Sequence, residues 1–87
     1  MKIKNGFMLR KIGEQNVVVA VGEASRSFNG IIRLNDSGRY LWEKLQCGIS
    51  EQELLQAMLN DFDIDESTAS ADISAFVAKL KEAGLLE

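Results

Sequence analysis

The chain has 87 residues, of which 46% are hydrophobic and 26% are charged, and these values are ordinary for a globular protein. A chain of this length builds one compact core, so we expect a single domain over residues 1–87. The chain contains no His and no Pro, and Cys47 is its single cysteine. The missing His removes the commonest general base and metal ligand, and one cysteine excludes an intrachain disulfide and multi-cysteine metal sites. Composition therefore favours a small binding module over an enzyme.

The sequence shows no targeting or membrane-spanning segment. No apolar run approaches the roughly 20 residues that cross a bilayer, and residues 1–10 lack the apolar core of a signal peptide. A lone cysteine is typical of a reducing compartment. We therefore expect a cytoplasmic protein that does not enter a membrane.

Charge is divided unevenly along the chain. Residues 1–34 carry six basic and two acidic side chains, a net charge of +4. Residues 35–87 carry four basic and eleven acidic side chains, a net charge of −7. A binding partner should therefore meet a mildly basic region near the N-terminal half and an acidic one near the C-terminal half.

The first third of the chain has the pattern of β-structure. Alternation and β-branched residues predict strands over residues 7–12, 17–21 and 30–34. A turn is predicted at residues 13–16 and a polar loop at residues 22–29. Consecutive strands with brief connections favour an antiparallel meander, which places the third strand at an edge of the sheet.

The rest of the chain predicts three helices. The first is capped by Asn35 or Asp36 and ends near residue 47, where Gly48 can adopt the left-handed conformation. Ser50 and Glu53 match a capping box for a second helix that ends near residue 60.

A third helix begins at Asp65 or Ser67, and Gly84 ends it. Leu85 stands where a Schellman motif folds an apolar residue back onto the last turn. The element order predicts an α+β, winged-helix-like fold in which a three-stranded antiparallel sheet is followed by three helices.

The spacing of Asp61, Asp63 and Asp65 resembles the start of a calcium-binding loop. That loop needs Gly at its sixth position and Glu at its twelfth, and this chain has Glu66 and Asp72 there. Phe62 and Ile64 alternate with these acids, as expected of apolar residues buried from an extended connector. We interpret the segment as a solvated turn in which Asp65 caps the next helix, and we predict no metal site.

Catalysis finds no support in the sequence. Cys47 has no His to activate it as a nucleophile, so we interpret it as a small apolar filler at a helix end. The carboxylates stand mostly at helix starts and exposed positions, where they favour the helix dipole. We therefore predict no catalytic residue and no cofactor.

Nucleic-acid binding is also disfavoured. A recognition helix needs Lys and Arg to reach phosphates and bases. The third predicted helix, over residues 65–83, has four acidic and two basic side chains, a net charge of −2. A winged-helix regulator of DNA is therefore the weaker alternative.

The third predicted strand is the remaining candidate site. If Ile32 and Leu34 face the helices, then Ile31 and Arg33 face outward. An open edge can receive an extended peptide as an added strand, or it can simply be protected by its shortness and by Arg33. The residues leave both interpretations open. A proline at Ile32 should weaken peptide binding if the N–H of that residue points outward.

The chain resembles the PqqD-like family, the recognition elements for ribosomally made and post-translationally modified peptides. The resemblance spans nearly the whole chain as one domain over residues 1–87: the matching features stand in residues 30–87, and the three predicted strands agree with it. The ordered set of features is moderately specific. It comprises Leu34-Asn35 opening the first helix, Leu41 and Leu45 within it, Gly48 before a capped second helix, Phe62-x-Ile64-Asp65, then Asp72, Ile73, Phe76 and Leu80, and Gly84-Leu85-Leu86.

The resemblance implies a peptide chaperone. Members of that family bind the leader segment of a precursor peptide and present its core to a modifying enzyme, often a radical S-adenosylmethionine protein. The leader adds as a strand in a groove between the third strand and the third helix. The implied docking strand is Gly30, Ile31, Ile32, Arg33 and Leu34.

On the third helix, helical angle offers two margins for that groove. One margin is Asp72, Phe76 and Lys79, and the other is Ser70, Ser74 and Lys81. We choose the first. The chain ends at Glu87, so we expect no fused catalytic domain and action in trans, as a monomer or as a homodimer paired through the third strand. The resemblance does not identify the precursor, the enzyme or the product.

Overall fold

The computed structural model describes residues 1–27 and 30–87. Its strands are β1 (Phe7–Ile12), β2 (Gln15–Ala20) and β3 (Ile31–Leu34), and its helices are α1 (Ala24–Ser27), α2 (Asp36–Gln46), α3 (Glu51–Asp61) and α4 (Glu66–Glu82). The predicted α+β fold of three strands followed by three helices is confirmed. The loop predicted at residues 22–29 contains the single helical turn α1, and residues 28–29 lie outside the described part.

The sheet is an antiparallel meander in the order β1-β2-β3. A two-residue turn at Gly13 and Glu14 joins the first two strands, and Ile12 pairs with Gln15 across it. The turn is shorter than predicted, because Gln15 and Asn16 already belong to β2. Gly13 has a φ of +62°, a conformation that tight hairpin turns require and that glycine adopts without steric cost.

One face of the sheet packs on the helices. Val18 is fully buried in the main core, and Leu9 and Ile32 pack against that core from the neighbouring strands. Asn16, 3% exposed, is the buried polar residue on this face. Its amide donates to Asp36 Oδ1 at 3.4 Å and accepts from Arg39 Nη1 at 3.1 Å, so it ties β2 to α2.

Side-chain caps fix where the helices begin. Ser50 and Glu53 form both hydrogen bonds of the capping box, as predicted. Asp65 accepts from the N–H of Thr68 at 2.7 Å, and that hydrogen bond holds the pKa of the Asp65 carboxyl below its usual value. Asn35 caps α2.

The last turn of α4 forms the predicted Schellman motif. The N–H of Leu85 donates to Leu80 O at 2.9 Å, and the N–H of Gly84 donates to Lys81 O at 3.1 Å. Leu85 is fully buried as a result. The largest buried side chains of the core are Trp42, Leu45, Leu54, Met58, Ile73, Leu80 and Leu85.

The N-terminal segment closes the helical side of the core, which the sequence did not predict. Ile3 is 4% exposed and forms an isolated bridge with Leu86. The N–H of Ile3 donates to Leu45 O at 3.3 Å, and the N–H of Lys4 donates to Leu85 O at 2.8 Å. The segment therefore connects the end of α2 to the residues that follow α4.

Two sequence expectations about side chains were wrong. Cys47 is exposed at the end of α2 and is not an apolar filler, because the cap residue lies beyond the buried stripe of its helix. Phe62 keeps 37% of its surface exposed and packs edge-on against Tyr40, with 4.9 Å between ring centroids. Its alternation with the neighbouring acids suggested burial, but it leans on a surface ring instead.

Tyr40 joins α2 to the end of α3. Its hydroxyl donates to the Asp61 carboxylate, and Lys44 Nζ lies 5.4 Å from the ring centroid. Partial burial, and then the hydrogen bond and charge of Asp61, raise the pKa of Tyr40 to about 12.

Tyr40 is the single tyrosine, so an ultraviolet titration reports this group directly. We predict a midpoint of about 12 in the folded protein and about 10 in urea. Because the folded pKa lies above the unfolded one, this contribution to stability is complete below the unfolded pKa and is lost as pH rises through about 12. Asp61→Asn should lower the midpoint only part of the way, since burial remains. A midpoint near the unfolded value, in protein that circular dichroism shows to be folded, would contradict this contact.

Candidate functional site

Strand β3 lies at an edge of the sheet. Its neighbour in the strand order is β2, and no described strand lies on its other side. Leu34 is 8% exposed and Ile32 is half-buried, whereas Ile31 and Arg33 are exposed. The predicted orientation of the strand is therefore confirmed, with Ile32 and Leu34 toward the helices.

The hydrogen bonds of β1 and β2 determine which backbone groups of β3 point outward. The two-residue turn makes Ile12 and Gln15 face each other, and the N–H of Val21 donates to Gly6 O at 2.8 Å. Both observations show that the odd-numbered residues of β2 point their backbone N–H and C=O groups toward β1. Since backbone direction alternates along an antiparallel strand, the even-numbered residues Asn16 and Val18 direct their N–H and C=O groups toward β3.

The partners of Asn16 and Val18 on β3 are Leu34 and Ile32. These two residues therefore direct their N–H and C=O groups toward β2. By alternation, Ile31 and Arg33 direct theirs away from the sheet. A proline at Ile32 was expected to weaken peptide binding only if the N–H of Ile32 points outward. That N–H points toward β2, so the condition is not met.

Gly30 lies just before the strand, not in it. It is exposed in a bend with a φ of +128°, a region that favours glycine. Among the described residues other than its chain neighbours, none has a heavy atom within 4 Å of the position that a Cβ atom on Gly30 would take.

A depression of about 270 Å³ lies between the start of α2 and α4. Its α4 wall contains Asp72, Phe76 and Lys79, the three helix residues chosen from the sequence. The full lining is Asn35, Ser37, Gly38, Leu41, Asp72, Ala75, Phe76 and Lys79. The structure thus brings the predicted helix residues together with residues that directly follow β3, whereas none of the predicted strand residues lines the depression.

The first turn of α2, which lines the depression, packs closely against the end of β3. Asn35 accepts from the N–H of Gly38 at 2.8 Å and from the Ser37 hydroxyl at 3.1 Å, which holds the turn in place. A Cβ atom on Gly38 would lie 3.1 Å from Asn35 Oδ1 and 3.4 Å from the Cβ of Leu34. Glycine therefore lets the end of β3 and the start of α2 approach closely.

The other margin of α4 faces a different part of the molecule. Ser70 and Ser74 line a smaller depression of about 100 Å³ together with α3 residues that include Leu55. Lys81 is exposed and lines neither depression. This margin therefore borders α3 and not the sheet.

The depression is apolar at its base and charged at its ends. Leu41 is 2% exposed, and Phe76 packs half-buried against the core. Asp72 and Lys79 are seven residues apart, so about 10 Å of helix separates them. Neither forms an ion pair with a residue of ranges 1–27 or 30–87. The same ranges contain no cluster of His, Cys, Asp or Glu that could hold a metal ion.

Sequence reasoning missed the α2 side of the depression. Asn35 was predicted as a cap and Leu41 as a core residue, and neither was connected to the site. Asn35 could have indicated the position, since the cap residue comes directly after the edge strand. Gly38 within a helix was a second signal.

Comparison with known proteins places the chain in a family. The family model described as coenzyme PQQ synthesis protein D matches residues 15–86. The chain belongs to the PqqD family. No curated protein matches the chain. Within the described helices, none combines the length and apolar character needed to cross a bilayer.

Two solved structures share the fold of this PqqD family member. The structure of TbiB1 in complex with the TbiA(beta) leader peptide has a TM-score of 0.77 and 23% identity, covering 100% of this chain and 95% of that one. Lasso peptide synthetase B1 complexed with the leader peptide has a TM-score of 0.75 and 23% identity, covering 97% of this chain and 93% of that one.

The direction of the β3 backbone predicts that two neighbouring prolines differ in their effect on stability. Ile32→Pro removes a donor from the bond with β2 and should cost about 1–3 kcal/mol more than Ile32→Ala. Arg33→Pro removes an outward N–H and should lie close to Arg33→Ala in stability. Urea unfolding of the four variants measures both differences. Equal extra losses for the two prolines would contradict the assigned direction.

Proposed function

We propose that this protein binds the leader segment of a ribosomally made precursor peptide and presents the peptide to a modifying enzyme. The observation that carries the proposal is the open edge of β3, where Ile31 and Arg33 direct backbone N–H and C=O groups outward beside a depression. A leader added as a fourth strand satisfies those groups and reaches that depression with its side chains.

The comparisons support this proposal. TbiB1 and lasso peptide synthetase B1 both have leader peptides in their structures, and their fold covers this chain almost end to end. The PqqD family is described by its part in the synthesis of a coenzyme.

Each part of the site has a separate task in this proposal. Ile31 and Arg33 each supply one backbone donor and one acceptor, and such bonds tolerate variation in the peptide sequence. The base of the depression, at Leu41 and Phe76, accepts an apolar side chain of the leader. The Lys79 ammonium and the Asp72 carboxylate lie at its ends and orient charged or polar neighbours.

The protein acts by tethering, not by catalysis. A leader held by one module brings the rest of its peptide to an enzyme at a high effective concentration. The resemblance to PqqD-like proteins makes a radical S-adenosylmethionine enzyme the leading candidate for that partner. Precursors made on ribosomes are met in the cytoplasm, where we expect this protein to act without a cofactor of its own.

A matched pair of substitutions on α4 tests the depression. Ala75 and Ala78 are both exposed, and only Ala75 lines the depression. Ala75→Arg fills it and should weaken leader binding about tenfold or more, equivalent to about 1.4 kcal/mol, whereas Ala78→Arg should leave the affinity unchanged. The probe is a synthetic leader segment from a candidate precursor, sought among short reading frames next to this gene, and calorimetry measures the dissociation constant.

Arg33→Pro is the companion variant for the edge. It removes an outward donor without touching α4, so it should also weaken the same leader. Circular dichroism verifies folding in each variant. Unchanged affinity in both Ala75→Arg and Arg33→Pro would show that the leader binds elsewhere.

A further inference from the structure

The outer face of the sheet is more apolar than expected. A sheet with one face on the core usually turns a polar face to water. Met8, Ile12 and Ile31 expose 43%, 62% and 52% of their surface on this outer face. Met8 and Ile31 stand in one row of this face, and a contiguous apolar strip on an exposed face indicates a surface that has a partner.

One row of side chains on this face is apolar across the whole sheet. Register places Met8 beside Val19, and Val19 beside Ile31. The row ends at the open edge of β3, where Ile31 has a register neighbour in β2 and none in another described strand. A fourth strand would continue the row past Ile31.

The adjacent row carries the charge. Arg10 pairs with Val17, and Val17 pairs with Arg33. Val17, between the two arginines, is 2% exposed although it lies outside the main core cluster. Neither guanidinium forms an ion pair with a residue that the structure describes. This row also ends at the open edge.

The backbone direction of β3 determines which peptide residues would extend the rows. A peptide residue that exchanges both hydrogen bonds with Arg33 lies directly opposite it, with its side chain on the same face. The same holds for Ile31. These two peptide residues are therefore separated by one residue, whose side chain points to the other face, toward Ile32.

Resting on the proposed function, we infer that the leader carries an acidic residue and, two positions later, a β-branched or aromatic residue. The acid pairs with Arg33, and the apolar side chain continues the row of Ile31. The order follows from antiparallel addition, which is the more stable pairing and continues the pattern of the sheet. A strand that runs antiparallel to β3 passes Arg33 before Ile31.

A displayed library of random linear peptides tests this inference and does not require the natural precursor. Selection on the purified protein should enrich an acid followed two positions later by Val, Ile, Thr, Tyr or Phe. Selection on Arg33→Glu should replace that acid with Lys or Arg. Arg10→Glu is the matched control, because it changes the same row at the far edge and should keep the acid.

Affinity measurements give the size of the effect. A synthetic peptide with the enriched motif should bind Arg33→Glu about fivefold more weakly than the wild type at low salt. The difference should shrink at high salt, because both charges are exposed to solvent.

The outcomes separate this inference from the proposed function. Three results would overturn the inference and leave strand capture intact. The enriched peptides lack the acid, they have the two residues in the reverse order, or they keep the acid when selected on Arg33→Glu. Enriched peptides that bind Arg33→Pro as tightly as the wild type would overturn strand capture at β3. A selection that enriches no peptide would contradict both.

Discussion

Peptide binding at β3 depends on the direction of four backbone groups. The N–H and C=O groups of Ile31 and Arg33 point away from the sheet. A two-residue turn and the bond from Val21 to Gly6 fix the direction of β2, and pairing then fixes β3. Among the described strands, none pairs with the N–H and C=O groups of Ile31 and Arg33. Backbone groups that lose water need hydrogen-bonding partners, so whatever covers this edge must supply them, and an extended chain is the simplest structure that does.

The rest of the fold holds that edge in a binding-ready form. Asn35 caps α2 directly after β3, and Asn16 ties the inner face of the sheet to the same helix. The Schellman motif and the N-terminal segment fix the far end of α4. An edge and a depression that are already formed lose little conformational entropy when a peptide binds, so a short contact surface can give useful affinity.

Most of the fold could be predicted from local sequence patterns, whereas the geometry of the site depends on long-range strand pairing. Ser50 and Gly84 were predicted from a few neighbouring residues, because caps and left-handed helix ends are local. The α4 margin of Phe76 was a choice between two, since helical angle defines both equally and only the position of α3 separates them. The outward groups of β3 could not be predicted, because they depend on which residues of β2 and β3 pair, and a shift of that pairing by one residue reverses which amides face outward. The sequence alone does not give this register, which is why a proline at Ile32 was the wrong test.

Amide hydrogen exchange followed by NMR reports directly on whether a leader adds as a strand at the edge of β3. In the free protein, the amide of Ile32 should exchange slowly, whereas those of Ile31 and Arg33 should exchange rapidly. Addition of the leader should slow the exchange of Ile31 and Arg33, which gain hydrogen bonds, by a far larger factor than that of Ile32, which slows only as much as binding stabilises the fold. Protection of Ile31 and Arg33 before the leader is added, or rapid exchange that persists at saturation, would contradict strand capture at this edge.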